Sequence, residues 1–330
     1  MRATFSLFPW DIEGDPVAAR RLKAGGVDRV ALAATYHAAR AATPRHPLHR
    51  IVNVERSASY VAGPSPLPAG AFSYEQTRDE LESVGIEVVP WVVLGHIDCS
   101  RPDIPRVVDA FGTVLPHAVC LRAPEAWGYI DATLGSVKEA AARGLVVEGA
   151  AWSGAHHASA HDKVSAAELD LEVLSWCFCA RCSAAADVDG SSVKAALLAG
   201  RPVDAASAAR VRDARIDAAK SIRRRIVNRA TELGVRELWF HPDPDAQAPA
   251  ESLFADAWAG PAAALHRLRE GTARGAYVTI LGAEEPRPDD LRSHWSALAS
   301  AGCEELLIYH AGLASATRLN AALTALKGIA

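Results

Sequence analysis

Glu148 ends the run GLVVE (residues 144–148), and the chain then opens into GAAWSGAHH (149–157). A carboxyl leaving an apolar run is drawn out of water, which disfavours its charged form and raises its pKa. Such a group stays protonated near neutrality and can hand its proton to a leaving oxygen. Glycosidic bond cleavage needs that acid together with a second carboxylate, acting as nucleophile or base. Glu284, soonest after VTILG, is the first candidate for the second role, with Glu285, Asp243 and Glu55 behind it. The alternative for Glu148 is an ion-paired structural glutamate, because buried ion pairs also perturb carboxylates.

A second constellation is WCFCARC (176–182), in which Cys177, Cys179 and Cys182 form C-x-C-x-x-C. A turn can fold three such thiolates around one tetrahedral zinc ion. Cys120 is taken as the fourth ligand, with Cys99 and His161 as alternatives. A zinc ion ligated wholly by protein would be structural, and no cofactor is expected for catalysis. The other reading is a set of reduced core cysteines without metal. A third group, His156, His157, His161 and Asp162, lies just past Glu148. With Glu148, His156, His161 and Asp162 could ligate the metal of a sugar isomerase or lyase. Their spacing is not that of H-E-x-x-H, and no G-x-S-x-G, Walker-A or kinase signature is present.

These residues need elements to place them. Strand-like runs at 3–8, 29–37, 86–96, 145–152, 237–243, 276–285 and 305–312 alternate with helix-period segments. In DPVAARRLKAGG (15–26), Asp15 reads as an N-cap, Pro16 as the first helical residue and the glycines as the stop. Strands separated by amphipathic helices indicate a parallel sheet with helical crossovers. The eighth strand is either RIVNVER (50–56) or HAVCLRA (117–123). Eight strands close a (β/α)8 TIM barrel, and no G-x-G-x-x-G follows the first strand to suggest a dinucleotide-binding sheet. The expected organisation is one barrel domain over 1–330, with a helical, cysteine-containing insertion at about 153–235 after the strand ending at Glu148. That insertion holds a short helix at 166–176 and a long one with Val211, Ile216, Ala219, Ile222, Ile226, Ala230 and Leu233 in helical spacing.

In a barrel, residues at the C-terminal strand ends share one pocket. Here those ends supply Trp10, Tyr36, His37 and Trp91, then Trp152, His156, His241 and Tyr309. Flat rings stack on sugar C–H faces while carboxylates accept from hydroxyls, so the expected ligand is a small carbohydrate. A rim residue can also be polar merely because water begins there. A pocket without a carboxylate pair would be a non-catalytic carbohydrate-binding barrel.

Composition removes other classes. The net charge of −4 gives no general pull toward nucleic acid or anionic membranes, and the basic run SIRRRIVNR (221–229) reads as a solvated helix face. No apolar stretch approaches the roughly 20 residues of a membrane span. The N-terminal run is broken by Pro9 and acids, unlike a secretory signal. Six cysteines, three of them within six residues, suit metal and a reducing cytoplasm better than disulfides. Self-association into a homo-oligomer stays open.

Residues 124–199 resemble part of a known family. A P-E-x-W-x-Y segment opens a helix, the next strand ends in Glu148, and CFCARC follows. This order is similar to the barrel domain of family 42 glycoside hydrolases, the β-galactosidases, and of related uncharacterised hydrolases. YHAAR with NVERSASY also looks like the early barrel loops of those relatives. The resemblance implies an acid/base role for Glu148 and a structural zinc on Cys177, Cys179, Cys182 and one further cysteine. Val147 stands where the family has the asparagine that contacts the sugar 2-hydroxyl.

Overall fold

The computed structural model describes residues 1–152, 154, 171–242, 253–281 and 290–329. Its main sheet has eight parallel strands: β1 (Arg2–Leu7), β2 (Arg29–Ala33), β3 (Glu87–Val93), β4 (Leu145–Glu148), β5 (Leu238–Phe240), β6 (Phe254–Asp256), β7 (Gly275–Thr279) and β8 (Glu305–Tyr309). They lie in the order β5-β4-β3-β2-β1-β8-β7-β6, and a parallel bridge from Phe240 to Leu253 joins the two ends. Sequence neighbours are therefore spatial neighbours all the way round, which makes the ring a (β/α)8 barrel. All five residues of β2 are buried, as expected of a strand covered on both faces.

Seven strands coincide with the expected runs, but the eighth does not. Ile51–Val54 pairs antiparallel with Ala39–Ala42, and Val114–Val119 with Arg106–Val108. Both segments are hairpins in the loops after β2 and β3. The missing barrel strand is β6, only three residues long. Three residues carry too little periodicity to be told from a loop.

Local signals hold at several helix ends. Ser73 caps the helix Tyr74–Ser83 by accepting from Gln76 N at 3.2 Å, and Gly26 ends Ala18–Gly25 in the left-handed region at φ 99°. Asp15 lies further out than expected, because that helix begins at Ala18. Its carboxylate instead accepts from Val17 N at 3.1 Å and pairs with Arg21. Between β4 and β5 run the helices Ala180–Ala186, Gly190–Leu198 and Ala205–Glu232. Asp204 caps the last by accepting from Ser207 N at 2.8 Å. Its basic run splits: Arg224 and Arg225 face solvent as expected, whereas Arg223 is buried. Among the described residues no helix is long and apolar enough to cross a membrane.

The N-terminal end of the barrel is closed by charge. Arg29 and Glu305 are each 2% exposed, with Nη1 and Oε1 2.9 Å apart. Arg29 also reaches Glu237 at 2.8 Å and Glu87 at 3.4 Å, while Arg2 pairs with Glu237 and Glu305. Thr4 Oγ1 donates to Glu305 at 2.6 Å. Removing one member of a buried pair strands the other charge, at a cost of about 3–5 kcal/mol. Arg29→Met is expected to lose stability of that order in chemical denaturation. A loss near zero would show that the network is dispensable.

Candidate active site

Glu148 owes its position to two glycines. Leu94 N donates to Glu148 O at 2.9 Å, drawing the ends of β3 and β4 together. A Cβ on Gly95 would meet Gly149 O at 2.3 Å, and one on Gly149 would meet Gly95 N at 2.8 Å. Gly149 also has φ +70°, a conformation side chains disfavour. The backbone behind the carboxylate is thus packed with no space to spare.

The Glu148 side chain is 19% exposed and faces a cavity of about 480 Å³ at the C-terminal mouth of the barrel. Burial raises its pKa to about 7, against the opposing pull of His96 and of a hydrogen bond from Trp91. That bond runs from Trp91 Nε1 to Oε2 at 2.9 Å. His241 Nδ1 lies 3.7 Å from the same oxygen, but burial lowers the His241 pKa to about 3. At pH 7 a neutral imidazole therefore stands beside a carboxyl that is only about half ionised, and the contact is not an ion pair.

The remaining sequence candidates divide into three groups. Tyr36, His37, Trp152, His241 and Tyr309 line the cavity with Glu148. Trp91 lies one layer down as the support of Glu148, 1% exposed. Trp10 does not reach the cavity lining; it is fully buried, stacked on Phe8 at 4.4 Å and packed against Tyr60 and Phe72. It follows β1 inside a short 3-10 turn (Pro9–Asp11) that turns the ring into the core. Glu55 is exposed beyond its hairpin and also lies off the cavity. Glu284, Glu285, Asp243, His156, His157, His161 and Asp162 fall outside the described residues.

Among the lining residues that escaped the sequence reading are Arg223, Asp256, Trp258 and Tyr277. Asp256 and Trp258 went unnoticed with β6, at whose end they sit. Tyr277 is mid-strand in β7, where only alternation could have marked it. Trp258 stacks on Tyr309 at 5.5 Å, and Tyr277 packs on His241 at 4.6 Å. Burial raises the phenol pKa values of Tyr36, Tyr277 and Tyr309, the last to about 12, so all three remain neutral donors at pH 7.

The cysteines converge as their spacing suggested. The Sγ atoms of Cys120, Cys177, Cys179 and Cys182 all lie within 4.8 Å of one another. Cys120 is 3.6 Å from Cys182 and 3.8 Å from both Cys177 and Cys179. Zinc–sulfur bonds of about 2.3 Å in a tetrahedron give an S···S edge of about 3.8 Å, so the set fits zinc. Cys99 and Cys303 stand apart from it. The cluster joins the hairpin after β3 to the insertion after β4: Phe178 N donates to Val108 O at 2.7 Å, and Trp152 packs against it.

Two outcomes follow. Cys120→Ser should reduce the zinc content of the purified protein and lower its melting temperature; unchanged values for both would leave the cluster as packing only. Because ionised Glu148 is disfavoured in the fold, its contribution to stability is intact below pH 4.5 and is lost as pH rises through about 7. Glu148→Gln, neutral at every pH, should therefore gain stability relative to the parent over that interval. A pH-independent difference in denaturation midpoints would contradict the buried carboxyl.

No protein-family model matches this chain, and no curated protein matches it. Solved structures do. A β-galactosidase from the psychrophilic Marinomonas ef1 superposes with a TM-score of 0.56 at 11% identity, over 99% of this chain and 59% of the other. The catalytic domain of a β-amylase from Paenibacillus polymyxa gives 0.50 at 12% identity, over 99% and 97%. A 3-keto-D-glucoside 4-epimerase from E. coli gives 0.47 at 11% identity, over 100% and 98%. The chain thus spans 59% of the length of the β-galactosidase it matches. At these identities the likeness to the β-galactosidase and the β-amylase domain is one of fold, and it agrees with the expected (β/α)8 barrel.

Proposed function

We propose that the protein is a glycoside hydrolase acting on a small glycoside or oligosaccharide, with Glu148 as general acid/base. The observation that carries this reading is a carboxyl with its pKa raised to about 7, steadied by Trp91 and facing an aromatic-walled cavity. In its neutral form Glu148 donates its proton to the glycosidic oxygen as the C–O bond breaks. The resulting carboxylate then takes a proton from the attacking water. Tyr36, Trp152, Trp258 and Tyr309 offer ring faces to the sugar, and His37 and the neutral His241 offer nitrogens to its hydroxyls. The second carboxylate comes from Glu284, as the order of the chain suggests, or from Asp256, which lines the described cavity two strands away from Glu148. Zinc on the four cysteines would be structural, holding the loops that carry the site, and four free thiols in such a set suit the reducing cytoplasm.

A panel of aryl glycosides tests this reading. Glu148→Gln should retain ligand binding but lose about 10²–10⁴-fold in hydrolysis rate. In the parent, the rate should fall as pH rises through about 7, as the acid form of Glu148 is lost. An unaffected rate in the variant would remove Glu148 from the chemistry.

A further inference from the structure

A separate group of side chains sits at the edge of the same cavity. We propose that His37, His96 and Asp98 bind a divalent transition-metal ion. The inference rests on their own geometry and not on the glycosidase reading. His37 comes from the loop after β2, and His96 and Asp98 from the loop after β3. One ligand atom from each lies within 4.8 Å of the others.

The supports of this trio are those a metal site uses. Asp98 is fixed from two directions: its N–H donates to Ser57 Oγ at 2.7 Å, and its Oδ2 accepts from Ala38 N at 3.0 Å. His37 Nδ1 lies 2.7 Å from Ala38 O, so that nitrogen carries the proton and Nε2 keeps its lone pair. Metal-binding histidines are commonly oriented in this way, by a backbone carbonyl on the nitrogen that does not ligate. His96 Nε2 is 2.9 Å from Asp98 Oδ2, a hydrogen bond that keeps this imidazole next to the carboxylate. A simple Asp–His pair needs neither the second imidazole nor its fixed tautomer.

Two imidazoles and one carboxylate suit zinc, iron, manganese or cobalt, and three protein ligands leave coordination positions open. His37 and His96 both line the cavity with Glu148, so those open positions face a bound ligand. There the ion would hold an oxygen of that ligand, a hydroxyl or a carbonyl. The two rings are stacked at 4.3 Å and 13°. Ion binding therefore requires the His96 ring to turn about its Cβ–Cγ bond, exchanging its contact with Asp98 for the metal.

Equilibrium dialysis of the full-length protein against zinc chloride, followed by metal analysis, tests the site. His96→Ala and Asp98→Asn should each bind one equivalent less than the parent. Thermal melts establish that each variant is folded, and Asp98→Asn, which keeps the side-chain volume, serves if His96→Ala does not fold. Substitution with cobalt distinguishes this site from the cysteines: the lost equivalent should lack thiolate-to-cobalt charge-transfer absorption. Equal zinc content in parent and variants would overturn the proposal and leave a hydrogen-bonded Asp–His pair, as would loss of an equivalent that carries the thiolate band.

Discussion

The chemistry proposed for this molecule turns on a carboxyl group held by one indole N–H in apolar surroundings. Glu148 has water on one side only, and its charged form is disfavoured because aromatic rings and a neutral imidazole surround the rest. Water at the strand end would return it to an ordinary surface glutamate. The barrel prevents this by stacking a second aromatic layer beneath the first. Trp91 supports Glu148, Phe8 packs on Trp91 at 5.7 Å, and Trp10 and His310 pack on Phe8. Trp10, outside the cavity, thus serves the site through two intervening rings.

The mouth around that carboxyl is assembled from loops with little regular structure of their own. The hairpin after β3 is hydrogen-bonded to the strand end, Val119 N to Gly95 O at 3.0 Å, and terminates at Cys120. Cys120 in turn meets the cysteines of the insertion after β4. One four-sulfur cluster therefore ties together the two loops on either side of Glu148. Trp152 joins both regions, lining the cavity while packing on the cluster and donating from Nε1 to Arg215 O at 2.9 Å.

Much of this was legible in the chain because it rests on local signals. Long apolar runs bounded by helix-period segments revealed seven strands, and close spacing in sequence revealed three of the four clustered sulfurs. What failed depended on distance or brevity. A three-residue strand leaves no pattern, so Asp256 and Trp258 were missed with it. Trp10 was placed in the pocket because it follows a strand, yet a short turn redirects it inward. Arg223 belongs to a run that reads as solvated, and the fold buries it against the barrel, its guanidinium 5.3 Å from the Phe240 ring and its Nε donating to Ala150 O at 3.3 Å. The fourth sulfur, Cys120, is 57 residues from Cys177, so the sequence named it beside alternatives, and the fold brings it to the other three.

The charged plug at the opposite end of the barrel has a consequence for acid tolerance. Burial alone would raise the Glu237 carboxyl, but its contacts with Arg2 and Arg29 outweigh this and hold it below its ordinary value. A carboxylate so placed supports the fold above its unfolded pKa and withdraws that support as acid protonates it. Protonation of Glu237 thus weakens the fold from the closed base on the acid side, whereas ionisation of Glu148 costs stability at the open rim as pH rises. Substitutions at the base can therefore alter the acid response through groups that do not line the cavity.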